Sequence, residues 1–436
     1  MNNFKFNSSL FGAKVIYNLI RLLRLGEGTS FVGKSVLKFS PNFISEASKF
    51  ISGAKISVTG TNGKTTSSGI IYHVLEQNGR KIVANRKGAN MQTGIANAFA
   101  LTLGGGKFFD NCVMECDEAY LARIQAGLKA DYLLVTNLFA DQVDRYSDVS
   151  VTRQKIQEGI NAYKEVQLVL NADNPDVSCL KSAKKQIFYG VNTVEDHTGT
   201  VADYKEEKFN CPICGRELNF STKFYAQQGH YACECGYSRP QPEFLADIVL
   251  EKDCSIIKIG NEEFVFPLAG LFNAYNALAA IALLKTIGVA EVKPHLLSYK
   301  TAFGRSEVRE INGKKVLIQL IKNPAGASEV VKTLDLESDI LIAINNNIAD
   351  GTDISWLWDT NFERLRNTSR KIIVSGLKAD EMAKRLKDAG VAETNIKVVK
   401  EIPKAIDYVL TMAENNITIL PSYTALLEID KLLKKF

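Results

Sequence analysis

Nowhere in the 436 residues do about 18 to 20 apolar residues run together, so no segment is expected to span a bilayer as a helix. The N-terminus also lacks the charged, apolar and small-residue succession of a secretory leader, which points to a cytoplasmic protein. Proline is scarce, at ten residues, and low-complexity runs are missing. With 46% hydrophobic and 23% charged residues, this excludes a fibrous or disordered chain and indicates ordinary globular domains. Net charge is small, at +5, and residues 1–50 carry all of it, with seven Lys/Arg against two Glu. The remainder is balanced, which argues against a nucleic-acid-binding face.

The length exceeds what one compact core accommodates and predicts two or three domains. In the first segment, Val15, Ile16, Leu19, Ile20, Leu22, Leu23 and Leu25 interleave with Lys14, Arg21 and Arg24. This pattern suits an amphipathic helix, either packed on the next domain or resting on an anionic membrane surface or a partner.

From residue 55 onward, strand and helix signals alternate. Lys55–Thr59 is β-branched and leads through a glycine-containing turn into a helix over about 65–77, closed by Asn78-Gly79. Further strands are predicted at 81–84, 112–115, 132–136 and 167–170, the alternation of a doubly wound α/β domain. Residues 196–243 break this rhythm and read as an insertion. The core resumes near Phe244, and Leu271–Leu284 is an Ala-rich apolar helix. After Gly304-Arg305, strands at 315–320, 339–344, 371–374 and 417–420, with a helix over 379–389, predict a smaller Rossmann-like α/β domain. The expected division is therefore a basic segment 1–46, a central domain 47–305 with its insertion, and a C-terminal domain 306–436.

Between the first strand and helix stands Gly60-Thr61-Asn62-Gly63-Lys64-Thr65-Thr66. Backbone amides and the positive helix end at such a junction can surround a phosphate chain. Lys64 would neutralise the outer phosphates, and the Thr65 hydroxyl would hold Mg²⁺. Val58 stands where the full P-loop pattern has its first glycine.

Cysteine is used unevenly. Cys211-Pro-Ile-Cys214 and Cys233-Glu-Cys235 form two close pairs separated by eighteen residues, the spacing of a zinc ribbon. Four thiolates would close a tetrahedral Zn²⁺ site and make it structural, with His230 as an alternative ligand. Cys112, Cys116, Cys179 and Cys254 show no metal spacing and are read as small core residues.

Gly60–Thr66 resembles the nucleotide-binding signature of the Mur ligases and folylpolyglutamate synthases, and further matches follow in order. Glu115 matches that family's Mg²⁺-binding glutamate. Asn137-Leu138 with Asp141 and Asp144, and then Asn171-Ala172-Asp173, match two later strand ends. Gly270-Leu-Phe-Asn273-Ala-Tyr-Asn276 is similar to the family's adenine-contacting helix start, which implies that Asn273 reads the base. Gly304-Arg305 resembles the hinge arginine that reaches ATP phosphates. The implied fold is the family's central P-loop-type domain, here carrying the ribbon, plus the smaller Rossmann-like domain. Departures accompany the matches. Gln142 replaces a histidine ligand, which implies a one-metal site. Ile156 stands where many relatives carry a carbamylated lysine, and Gln319–Pro324 replaces an Asp-Tyr-Ala-His segment.

Only 59 residues precede the loop, too few for the nucleotide-sugar domain of the family members that act on soluble precursors. With the ribbon and Ala349-Asp350-Gly351-Thr-Asp353-Ile-Ser-Trp356, the resemblance narrows to the branch that amidates lipid II at the membrane surface. It implies ATP- and Mg²⁺-dependent conversion of the stem-peptide D-glutamate to D-isoglutamine through an acyl phosphate. Ammonia would come from a GatD-type glutamine amidotransferase subunit. Lys64 and Glu115 would act in phosphoryl transfer, and Asp350 would support the partner's catalytic Cys-His pair. Two other readings remain: an amino-acid-adding ligase of the folylpolyglutamate synthase type, and a nucleotide-switched zinc-ribbon binding protein without enzymatic activity.

Overall fold

The computed structural model describes residues 2–22, 29–85, 89–104, 106–139, 149–198, 208–301, 304–413 and 416–435. Its first sheet has nine strands in the order Glu262–Phe266, Ser255–Ile259, Phe244–Leu250, Ile187–Asp196, Gln167–Asn171, Tyr132–Val135, Lys55–Thr59, Asn111–Glu115 and Ile82–Ala84. Pairing is parallel from Phe244–Leu250 to Ile82–Ala84, while the two outermost strands on the other edge run antiparallel as a meander. Strands buried on both faces read as continuous apolar runs, and Asn111–Glu115 is buried at every position.

Lys55–Thr59 and Tyr132–Val135 are neighbours, and the chain runs from the first to Ile82–Ala84 on one side and from the second to Gln167–Asn171 on the other. A crevice opens beyond the carboxyl ends of parallel strands at such a reversal, where ligands of open α/β sheets bind. Gly60–Thr66 follows directly, and Lys64–Gln77 is helical. Leu271–Thr286 packs against that helix and is buried on nearly all sides, its alanines permitting close approach.

On the other face of the sheet lie the N-terminal helices Asn2–Leu22 and Thr29–Phe39. Phe6, Ala13, Val32 and Val36 join the core there and pack towards the helix Gln92–Thr102.

The interruption between Asp196 and Phe244 contains a hairpin of Asn219–Tyr225 and Gln228–Ala232 with a small core of its own around Leu218 and Tyr231. The second sheet runs in the order Arg305–Ile311, Lys314–Gln319, Ile417–Pro421, Asp339–Ala343, Ile372–Ser375 and Ile396–Val398. All its pairings are parallel except the opening hairpin. Apolar cores cover both its faces. The strands 187–196, 219–225, 228–232, 244–250, 255–259, 262–266, 305–311 and 396–398 lay outside the expected set: those at edges or in antiparallel pairs carry weaker apolar patterns than central parallel ones, and Ile187–Asp196, though interior and parallel, turns largely polar after Val191.

Candidate active site

The Gly60–Thr66 loop is held from three directions. Asn137, two residues beyond the strand Tyr132–Val135, accepts from the Asn62 N–H at 2.9 Å and donates to the Asn62 carbonyl at 3.1 Å. Thr136 Oγ1 donates to the same carbonyl at 2.7 Å. Gly63 has φ +84°, and a Cβ there would lie 1.9 Å from Asn276 Oδ1, so conformation and space both demand glycine. The residue before the helix that starts at Lys64 is Gly63, which has no side chain with which to cap it, and the amides of a first helical turn point towards where an anion can bind.

Lys64 folds back over this loop. Its ammonium donates to the carbonyls of Gly60 and Thr61 and pairs with Glu118 Oε1 at 2.7 Å, both side chains being about nine-tenths buried. Glu118 also accepts from the Gly60 N–H at 3.2 Å. Sequence reading passed over Glu118, because an acid three residues past a strand end carries no signature of its own. Glu115 is buried too, its backbone exchanging hydrogen bonds with the Asn85 carboxamide at 2.8 and 2.7 Å. Buried carboxylates beside a hydroxyl-bearing loop are the oxygen donors that Mg²⁺ prefers, and Thr65 and Glu115 are the residues that would hold it.

The second sheet closes the cleft. Lys322 Nζ donates to the Thr61 carbonyl at 3.2 Å, and the carboxamides of Asn62 and Asn323 are hydrogen-bonded to each other. Asn323 also caps the helix Pro324–Lys332 by accepting from Gly326 N at 2.9 Å. Sequence reading named Asn323 only within the segment Gln319–Pro324 that departs from the family pattern, and an approach across 261 residues leaves no local signal. Phe272, Asn273, Asn276 and Glu329 line the same cleft. Asn273 is 3% exposed and donates one N–H to Ala269 O at 2.8 Å, and a carboxamide has a second N–H and an oxygen with which to meet a base. Gly304 lines the cleft, but the side chain of Arg305 lies outside the described residues, as do Asp141, Gln142 and Asp144. Ile156, buried in the core, offers no ligating atom.

The four-cysteine insertion reaches the same cleft. Tyr225, at the tip of its hairpin, lines the cavity and packs edge-on against Tyr275 with centroids 5.5 Å apart. Gln227 donates to Leu138 O at 2.7 Å. Arg239, just past the second cysteine pair, bonds Asp173 Oδ1 at 2.6 Å, while Val191 N and Tyr275 Oη donate to Oδ2 at 2.7 Å each. Burial pushes the Asp173 carboxyl above its ordinary range, against the pull of Arg239 and these donors. Asp173 is thus an anchor for the insertion, engaged by groups other than the Gly60–Thr66 loop.

Cys211, Cys214, Cys233 and Cys235 converge, all four sulfurs lying within 4.8 Å of one another. Sγ–Sγ separations of 3.7 Å for Cys211–Cys235 and 3.5 Å for Cys214–Cys233 approach the spacing of about 3.8 Å that tetrahedral Zn–S bonds impose. The Arg216 backbone N–H and side chain bring the Cys214 thiol down to about 6, while against the pull of the Cys235 backbone N–H, burial and the contacts with the other three sulfurs push Cys233 up to about 12. His230, the alternative ligand, is elsewhere: its Nε2 lies 2.8 Å from Val191 O, and its ring packs edge-on against Phe224. The hairpin's alternation turns it towards the sheet. Cys112 and Cys116 are fully buried, which pushes both thiols up to about 12 and leaves them without nucleophilic character.

Asp350 lies in the second domain. It is 7% exposed and accepts from Thr424 N at 2.7 Å, Thr424 Oγ1 at 2.5 Å and Asn347 N at 3.1 Å. It is not among the residues lining the cleft between the sheets. Exposed apolar side chains surround its turn: Ile348 beside it, Tyr423 and Leu427 on the adjoining helix, and Leu377, whose N–H donates to Asn345. Trp356 is buried in the core, and Trp358 is exposed, its indole donating to Asp388 at 3.1 Å.

A parallel sheet with a glycine loop at its switch point, an apolar helix beside it and a second parallel sheet closing the cleft define a Mur-type, ATP-dependent ligase. Residues 58–284 match the Mur ligase middle domain, and residues 320–426 match the MurT ligase C-terminal domain. The chain is 35% identical over 406 residues to the lipid II isoglutaminyl synthase (glutamine-hydrolyzing) subunit MurT of Staphylococcus aureus (strain COL), covering 92% of this chain and 91% of that one. With the subunit of the same name from Streptococcus pneumoniae it shares 32% over 422 residues, covering 94% of each. The chain belongs to the MurT family. Among solved structures, a pseudomurein peptide ligase type C from Methanothermus fervidus shares the fold at a TM-score of 0.70 and 20% identity, over 92% of this chain and 84% of that one. The folylpolyglutamate synthase of Mycobacterium tuberculosis does so at 0.60 and 14%, over 93% and 98%.

Proposed function

We propose that this chain is the synthetase subunit of a two-protein enzyme that amidates the D-glutamate α-carboxylate of the lipid II stem peptide to D-isoglutamine in peptidoglycan synthesis. The single observation that carries this is family membership along nearly the whole chain, together with the loop geometry around Lys64. The folylpolyglutamate synthase reading has only shared fold in its favour, and the binding-protein reading is at odds with ligase relatives that match along nearly the whole chain.

A carboxylate is a poor electrophile. Transfer of the γ-phosphoryl group of ATP to its oxygen yields an acyl phosphate and ADP. Attack of ammonia on the acyl carbon then forms the C–N bond, expels inorganic phosphate and leaves a proton for solvent. Lys64 is placed to offset charge on the transferring group, and leaving Glu118 for the phosphates would free it for that task. Lys322 adds a second cation from the closing domain. Mg²⁺, when bound by Thr65 and Glu115, would supply further charge neutralisation. The base would lie by Asn273 and Phe272, with Arg305 reaching the phosphates.

Ammonia is mostly protonated at neutral pH, so supply from a docked GatD-type glutaminase suits the chemistry better than capture from solvent. The apolar rim around Asp350 supports docking there, and an acid facing the partner's Cys-His pair would orient its histidine. Zn²⁺ on the four cysteines would be structural. Mass spectrometry tests the reaction: ATP, glutamine and the purified complex should lower the mass of lipid-linked muropeptide by about one unit, the change from OH to NH₂. Elongation of a folate under the same conditions would overturn the assignment.

A further inference from the structure

The first helix, Asn2–Leu22, has two apolar faces, and the central domain covers only one of them. Phe6 and Ala13 are buried against that domain. On the other side, Phe11, Val15, Leu19 and Leu22 are 73, 41, 51 and 78% exposed. At about 100° per residue these four occupy one arc of about 80°. Polar Asn7, Lys14 and Asn18, all exposed, border it on one flank, and Lys5 lies beyond the other. The helix Thr29–Phe39 repeats the pattern, with Phe31 and Phe39 exposed at 62 and 56% and Lys34 and Lys38 exposed with them.

Charge decides what such a face fits. Neither helix contains an Asp or Glu, although acids nearly balance bases over the chain as a whole. An exposed apolar stripe bordered by asparagines and lysines, with no acid among them, complements a surface that is apolar within and anionic at its rim, as a bilayer of acidic phospholipids is. No helix among the described residues is long and apolar enough to cross a membrane, so this one can only lie along it. The apolar rim around Asp350 belongs to the other domain and leaves this face uncovered.

We propose that the first helix docks the protein in the plane of an anionic membrane surface, with Phe11, Val15, Leu19 and Leu22 entering the acyl boundary and the lysines meeting headgroup phosphates. This rests on exposure and charge and does not depend on which carboxylate the cleft activates.

The test is flotation of the full-length protein with vesicles of phosphatidylcholine alone and of an equal mixture with phosphatidylglycerol. Binding to the mixed vesicles only is expected. Combining Phe11→Asp with Leu19→Asp should abolish it, and Lys14→Glu should weaken it at least about fivefold, the effect of one lysine near such a surface. Both variants should keep the wild-type melting temperature rise with ATP and magnesium, showing that the folded cleft persists. Equal binding to neutral vesicles, no binding to either, or unaltered binding by the double variant would overturn the proposal. So would protection of the first helix from hydrogen exchange by the purified glutaminase without vesicles, since a protein would then be the occupant.

Discussion

The carboxamides of Asn62 and Asn323 exchange hydrogen bonds, Asn62 Nδ2 donating at 3.3 Å and Asn323 Nδ2 at 3.0 Å, across 261 residues of chain. One sits in the glycine loop and the other begins a helix of the second domain, so the pair ties the closing domain to the loop. Asn323→Ala removes this tie and the cap on Gly326, the cap alone contributing about 1 kcal/mol. Asn323→Asp keeps the cap and loses the donor. Both should raise the KM for ATP several-fold, while only the alanine variant should also lower the melting temperature.

Lys64 and Glu118 form an ion pair about nine-tenths buried, so removing either partner affects the other. Lys64→Ala should lower kcat by about 100- to 1,000-fold, the usual effect of removing a group that stabilises transition-state charge. Glu118→Gln retains an acceptor for Gly60 N and should cost less, with nucleotide affinity shifted more than kcat. Calorimetric titration alongside steady-state ADP release separates the two effects.

Because Tyr225, Gln227 and Arg239 bind the insertion to the cleft wall, damage to the four-cysteine cluster should reach the nucleotide. Native mass spectrometry should find a bound metal that a strong chelator removes. Chelation, or Cys211→Ser, should lower the melting temperature and weaken ATP binding. Tyr225→Ala should weaken ATP binding while retaining the metal. Unchanged ATP affinity after complete metal loss would show that the insertion folds and holds its place without it.

Asp350→Asn separates the two half-reactions. Glutamine hydrolysis by the complex should fall by more than about tenfold, as when the acid that orients a catalytic histidine is lost. Amidation supplied with ammonium chloride at alkaline pH should persist. If both activities fall together, Asp350 serves the turn it makes with Asn347 and Thr424.

Acid should loosen the second domain through Asp430. Burial pushes its carboxyl up, but hydrogen bonds from Arg309, at 2.7 Å, and from Lys434 outweigh this and hold it below the ordinary aspartate range. A carboxylate lowered in the folded state contributes stability that is complete above its unfolded value of about 3.9 and is lost as pH falls through the folded one. Asp430→Asn should therefore be less stable than wild type in urea at neutral pH, and the difference should narrow below about pH 3.

Much of the local architecture was readable. The strand before Gly60, the helix after Lys64, the apolar helix from Leu271 and the paired cysteines all announce themselves within a few residues, because turn geometry, helical periodicity and metal-ligand spacing are short-range constraints. The resemblance to the Mur ligases rests on the same kind of signal. His230 was misjudged at that level: proximity in sequence to cysteines made it a possible ligand, whereas hairpin alternation directs it to the Val191 carbonyl.

What this chain's residues determined alone is the glycine-containing junction of strand and helix at Gly60–Thr66 and which thiols come together. Folding decided that Glu118 answers Lys64, that Lys322 and Asn323 descend on the loop from another domain, that the ribbon's Tyr225 walls the cleft, and which side of the first helix stays uncovered. Those relationships join segments tens to hundreds of residues apart. No local pattern encodes them, since they exist only once parallel strands have set the spacing between the elements that carry them.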